Sequence, residues 1–137
     1  MRIVLDTNVL VSGLLDPYGP PGKIVQMTSS GALSLCYDVR ILTEYQEVLK
    51  RPHFKLNSDQ VEILLEQIRE EGHLVVSQPL PARLPDSTDE PFLEVAIAGK
   101  AQCLVTGNIK DYPVPKRGGM LLIVPAEFLD FYRKRIG

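Results

Sequence analysis

The sequence predicts an α/β fold built on a central, mainly parallel five-stranded sheet flanked by helices. Three observations carry that expectation. Short apolar runs alternate with stretches of helical periodicity along almost the whole chain. The runs are short and apolar rather than strictly alternating, as strands covered on both faces should be. Acidic or amide residues recur at the ends of these segments, at Asp6, Glu44, Asp89, Asn108 and Asp111, and in open α/β sheets ligands bind in the crevice outside the carboxyl ends of the strands.

The first strand is expected over residues 3–5 and stops on Asp6. A helix over 8–15 then enters a turn of strong breakers, 16–22, and a second helix follows over 23–29. The second strand is expected over 33–37. Over 39–50, Ile41, Leu42, Tyr45, Val48 and Leu49 fall at helical spacing, with Glu44 on the border of their stripe beside Ile41 and Val48. The next helix, 59–71, starts at a Ser58 or Asp59 cap and puts Val61, Leu64, Leu65 and Ile68 on one face. A third strand over 74–76 runs into residues 78–85, too rich in proline for helix or central strand. That stretch is a surface connection, since neither side holds enough chain for a separate core. A helix over 92–100, strands over 103–105 and 121–124, and an amphipathic final helix with Phe128, Phe131 and Tyr132 complete the count.

With 137 residues, 45% of them hydrophobic and 23% charged, residues 1–137 read as one domain that buries a core without staples. Cys36 and Cys103 sit inside apolar runs and read as reduced core residues. No apolar run reaches membrane-spanning length, and the first strand begins too early to leave room for a signal peptide, so a cytoplasmic location is expected. A net charge of -2 argues against a surface that binds nucleic acid all over. Local contact stays open. Each basic group has a plain reading as a solvated helix end, 116–117 among them, and 133–135 is read that way. Lys50, Arg51, His53 and Lys55, interleaved with Phe54, fit either a helix end or an RNA-contacting loop.

Each carboxylate has a structural reading beside the chemical one. Asp6, Thr7 and Asn8 precede a helix, where any of them could cap, yet a cap does not require a carboxylate at the end of a buried strand. Between 86 and 91, Ser87 and Glu90 have capping-box spacing and Pro91 suits a first turn. Three acids there exceed what a cap needs, and their repulsion calls for a cation, which makes Asp89 a ligand candidate with Glu90 or Asp86 in support. Thr106, Gly107 and Asn108 could simply close a turn. Read chemically, they put the Thr106 hydroxyl, the Asn108 amide and the Asp111 carboxylate at the same sheet edge as Asp6. Several oxygen ligands converging there would bind a hard divalent cation.

In four blocks, residues 3–10 (IVLDTNVL), 42–49 (LTEYQEVL), 86–93 (DSTDEPFL) and 104–108 (LVTGN), the chain resembles the PIN-domain ribonucleases, in particular the toxin branch of prokaryotic toxin-antitoxin pairs. The resemblance covers essentially the whole chain. It implies a PIN-like three-layer sandwich, with Asp6, Glu44 and Asp89 as an acidic triad and Asn108 or Asp111 at the fourth position. Asn8, Thr106, Asn108 and Glu90 would support them. Most members carry aspartate where this chain has Asn108, a departure that bears on a second metal ion and on activity. The resemblance further implies Mg²⁺ or Mn²⁺ as cofactor, single-stranded RNA as substrate, a cognate antitoxin and a homodimer.

The chemistry these groups support is phosphodiester hydrolysis assisted by one or two metal ions. Neither His53 nor His73 lies in the four blocks, so no histidine base is expected. A phosphorylatable receiver domain fits less well: strand one ends on Asp6 and Thr7 without an acidic pair, and strand five runs into Pro125, Ala126 and Glu127 without a lysine. A phosphatase with two aspartates spaced by one residue fails at Asn8. A catalytically weak or inactive PIN-like module that binds RNA or protein remains the alternative to the enzyme.

Overall fold

The computed structural model describes residues 1–136. The elements run β1 (Arg2–Leu5), α1 (Thr7–Leu15), α2 (Pro20–Ser29), β2 (Ser34–Tyr37), α3 (Val39–Leu49), α4 (Ser58–Glu71), β3 (His73–Leu74), α5 (Glu90–Ala98), β4 (Leu104–Val105), β5 (Leu122–Ile123) and α6 (Pro125–Ile136). Short 3-10 turns occupy Pro52–Phe54, Ser87–Asp89, Ile109–Asp111 and Val114–Lys116.

The strands form one sheet in the order β3-β2-β1-β4-β5, and every neighbouring pair is parallel. The expected mainly parallel sheet is thus parallel throughout. β1 is its central strand, with Ile3 opposite Leu35 and Val4 opposite Leu104. Both of its faces are covered, so Ile3, Val4 and Leu5 are all 0% exposed, which is why the run carries no alternation. The outer strands are shorter than their apolar runs. Val75 donates its N–H to the Tyr37 carbonyl at 2.8 Å where β2 ends, and Val76, expected inside β3, is 91% exposed. β4 and β5 likewise keep only two residues of longer apolar stretches.

Helix starts also moved. α2 begins at Pro20 rather than residue 23, because prolines in a first turn lose no hydrogen bond the helix would have made. α4 is capped by Asn57, whose side chain accepts from the Gln60 N–H at 3.0 Å, one residue ahead of the caps expected from sequence.

With the strand order β3-β2-β1-β4-β5, the right-handed rule for parallel crossovers puts the β1-to-β2 and β2-to-β3 connections over one face and the β3-to-β4 connection over the other. The contacts agree: α2 packs on α1, α4 and α6, whereas α5 lies against β1, β2 and β4. α3 touches α1, α4 and α5, which brings one helix of the first layer to the end of the sheet where the other layer begins. Cys36 and Cys103 are buried and free, and Phe128 of α6 is 0% exposed, so the final helix packs on the core as expected. The chain builds outward from β1 to β3 and then returns to the other side of β1, so the strand order reverses between β1 and β4. The carboxyl ends of these two strands therefore flank the crevice.

Candidate active site at the carboxyl edge of the sheet

Asp6 is the first residue after β1 and Thr106 the first after β4, and the Leu5–Val105 register sets them side by side. The Thr106 hydroxyl donates to Asp6 Oδ2 at 2.8 Å and itself accepts from the Asn108 N–H at 3.0 Å. Asp6 Oδ1 caps α1 through a 3.5 Å contact with the Asn8 N–H. The capping reading and the site reading are therefore compatible, one oxygen serving each. Burial raises the Asp6 carboxyl above its ordinary range, against the lowering pull of Thr106 and the α1 N–H groups.

Glu44 reaches the same edge on α3. Tyr45 next to it donates its hydroxyl hydrogen to the Leu5 carbonyl at 2.5 Å, fastening α3 to the end of β1. The Thr7 hydroxyl donates to Glu44 Oε2, so the residue after Asp6 orients the second carboxylate.

Asp89 occupies the N-cap position of α5 but makes no capping bond, and its Oδ2 is buried without a hydrogen-bond partner. A buried acceptor left in this way is costly and uncommon. Its carboxyl is pushed up to about 7, first by burial and then by the charges of Asp6, Asp86, Asp111 and Glu44. Asp111, exposed at the end of the 109–111 turn, completes the group.

Asp6, Glu44, Asp89 and Asp111 line one cleft of about 520 Å³, together with the side chains of Asn8 and Asn108. Thr106 stands behind Asp6 and is 0% exposed. Asp86 is at the rim, its Oδ1 taken by the N–H and hydroxyl of Thr88 at 2.9 and 2.7 Å.

Other candidates fall elsewhere. Glu90 does not join the cleft: its Oε2 accepts from the Leu84 N–H at 2.9 Å and from Arg83 Nε at 3.0 Å, pinning the proline-rich connection to α5. The Ser87 and Glu90 capping box does not form for the same reason. Of the loop's candidates Lys50, Arg51, His53 and Lys55, Arg51 alone lines the cleft, with Phe54 beside it in the lining. Lys50 is paired with Glu62 of α4 at 2.7 Å, and Lys50 and Lys55 edge a separate depression beside that helix. The His53 ring centroid lies 4.2 Å from that of Phe54. Sequence reasoning missed Thr7 as the partner of Glu44, and it missed Tyr112. The Tyr112 phenol is 0% exposed and unpartnered, and burial and the same four acids hold its proton on. A polar residue beside a predicted ligand is the only sequence signal either one offered.

Every donor in the cleft is a carboxylate, amide or hydroxyl oxygen, the set that hard cations take. Among the described residues no three acids, histidines or cysteines close around a single point. Mg²⁺ does not require such a closed group, since it keeps several waters and binds through one or two carboxylates. The unpartnered Asp89 oxygen amid repelling acids fits a missing positive charge. Asp6 and Asp89 would hold such an ion, with Glu44 and Asp111 beside them.

The family model of the PIN domain matches residues 2–110, a segment that includes Asp6, Glu44, Asp89 and Asn108 and ends one residue before Asp111. Comparison with curated proteins returns no match. With the match running from β1 into the turn after β4, the chain belongs to the PIN-domain family, a family of nuclease type.

Proposed function

We propose that the protein is a divalent-metal-dependent endoribonuclease that hydrolyses phosphodiester bonds in single-stranded RNA. The observation that carries this reading is that Asp6, Glu44, Asp89 and Asp111 line one cleft, in which the buried Asp89 Oδ2 lacks any partner. When bound, Mg²⁺ or Mn²⁺ acidifies a coordinated water and neutralises phosphate charge. The chain's part is to hold charge in place: Asp6 is fixed by Thr106 and by α1, and Glu44 by Thr7. The amides of Asn8 and Asn108 are exposed in the cleft and can donate to phosphate oxygens.

The test is cleavage of an end-labelled single-stranded RNA by wild type and by Asp6→Asn, in Mn²⁺ and in EDTA. Cleavage by wild type in Mn²⁺ only, and its loss in a folded Asp6→Asn variant, is the expected result. Undiminished cleavage in EDTA overturns the proposal.

Asn108 favours a second reading, an RNA-binding or protein-binding module with weak or no activity. Calorimetric titration with Mn²⁺ separates the two, since the module binds RNA tightly without binding the metal. The toxin role, with a cognate antitoxin, a homodimer and a cytoplasmic location, rests on the four sequence blocks. Growth arrest on expression, relieved by a co-expressed neighbouring gene product, is its test.

A further inference from the structure

The cleft is lopsided in charge. Five carboxylates line it, those of Asp6, Glu44, Asp86, Asp89 and Asp111, and among the described residues that line it Arg51 is the only cation. Arg51 is not committed to the acids: its one ion pair is with Glu47 at 3.9 Å, and both side chains are largely exposed, an arrangement that binds weakly in water. Phe54, partly buried against the hydrophobic core and three residues along the chain, lines the same cleft. The lining also includes apolar side chains, Val48 and Phe92 among them.

The strap that carries Arg51 and Phe54 is built to hold a shape. Pro52 opens a 3-10 turn in which the Phe54 N–H donates to the Arg51 carbonyl at 3.2 Å and the Lys55 N–H to the Pro52 carbonyl at 3.1 Å. Lys55 ends it in the left-handed region at φ 53°, where non-glycine residues are uncommon. The His53 ring lies against Phe54, tilted by 38°.

We infer that Arg51 and Phe54 form a subsite for the nucleotide next to the scissile phosphodiester, Phe54 stacking on its base and Arg51 binding its phosphate. This deepens the ribonuclease reading and rests on it. Guanidinium and aromatic ring together match one phosphate and one unpaired base. A base held in a duplex cannot present its face to Phe54, so the substrate is single-stranded and extends beyond the bond that is cut. A small phosphodiester without a base would engage only the acidic corner.

The experiment uses RNA of roughly 12 nucleotides, a length that fills a single-strand groove, and reads KM and kcat in Mn²⁺ and Kd by fluorescence anisotropy in Ca²⁺. Arg51→Ala should raise KM and Kd roughly tenfold and reduce the slope of log Kd against log salt by about one. Phe54→Leu keeps an apolar side chain but loses the ring, and should weaken binding about 5- to 100-fold, with Phe54→Tyr restoring it. In both, the loss falls on KM rather than kcat. Abasic substitution along the RNA should reveal one position that costs wild type what Phe54→Leu costs, and costs Phe54→Leu nothing more. Folded variants with unchanged Kd, or abasic losses that simply add at every position, overturn the subsite while wild-type cleavage leaves the ribonuclease reading standing. A wild type that neither binds nor cleaves RNA removes both.

Discussion

Thr106 donates its hydroxyl hydrogen to Asp6 Oδ2 at 2.8 Å, joining the ends of two adjacent parallel strands that lie 100 residues apart in the chain. The Thr106 hydroxyl oxygen in turn accepts the Asn108 N–H, so Thr106 sets the position of a candidate ligand and the path of the next loop together. Thr106→Val removes both bonds at nearly constant volume and leaves a buried carboxylate short of a donor. We expect it to cost about 2 kcal/mol in urea unfolding, the range for hydrogen bonds to charged groups. Thr106→Ser keeps the hydroxyl and should cost less. Equal stability of the two variants would show that the hydroxyl does not hold Asp6.

Asp89 gives the metal-free protein a distinctive pH dependence. Its carboxyl has an ordinary value of 3.8 and rises to about 7 in the folded state, mainly through burial and then through Asp6. Between those values the folded protein holds a proton that the unfolded chain releases. Stability therefore falls as pH rises through this window and levels off above it. In EDTA, Asp89→Asn should flatten that slope and stabilise the protein at pH 7.5 by about 1 kcal/mol, a figure discounted because the group is partly solvated. Added Mn²⁺ should stabilise wild type and leave Asp89→Asn little changed. Thermal unfolding across pH checks this, and a wild type in EDTA that gains stability over the same window would contradict it.

The sheet was legible because a parallel sheet covered on both faces writes itself as short apolar runs without alternation, and 3–5, 35–37 and 104–105 are such runs. Strand ends were not, because hydrophobicity at Val76 outlasts the partner it could pair with. Asp6 was legible as a carboxylate ending a buried strand. Glu90 was misjudged because an acid in a helix's first turn looks the same in sequence whether it faces the cleft or the loop behind it. Only the tertiary approach of Arg83 and Leu84 decides. Lys50 is the cap that ends α3 and Arg51 after it is already extended, so the chain turns between them, and one meets Glu62 while the other lines the cleft.

Glu90 should accordingly behave as a fastening and not as a ligand. Glu90→Ala leaves the buried Leu84 N–H without its acceptor and frees Arg83. We expect a lower melting temperature and faster protease cleavage within residues 78–85, while Mn²⁺ affinity stays within about twofold, since a second-tier contact is lost and no ligand. A variant as protease-resistant as wild type that no longer binds Mn²⁺ would put Glu90 among the ligands.

Asn108 and Asp111 divide the remaining question between them. Asn108 is exposed in the cleft with its N–H held by Thr106, and Asp111 follows within the same turn. If Asp111 supplies the charge that Asn108 lacks, Asp111→Asn should weaken Mn²⁺ binding on the order of tenfold, because affinity at oxygen sites follows ligand charge. Asn108→Asp should then do the reverse. In EDTA the added carboxylate meets Asp6, Asp89 and Asp111 with no counter-charge, so the same substitution should lower stability when metal-free and raise it when loaded. The double variant, Asn108→Asp with Asp111→Asn, restores the charge count and should recover most of the wild-type affinity in calorimetric titration. Unchanged affinity in Asp111→Asn would leave Asp6, Glu44 and Asp89 as the whole of the acidic set.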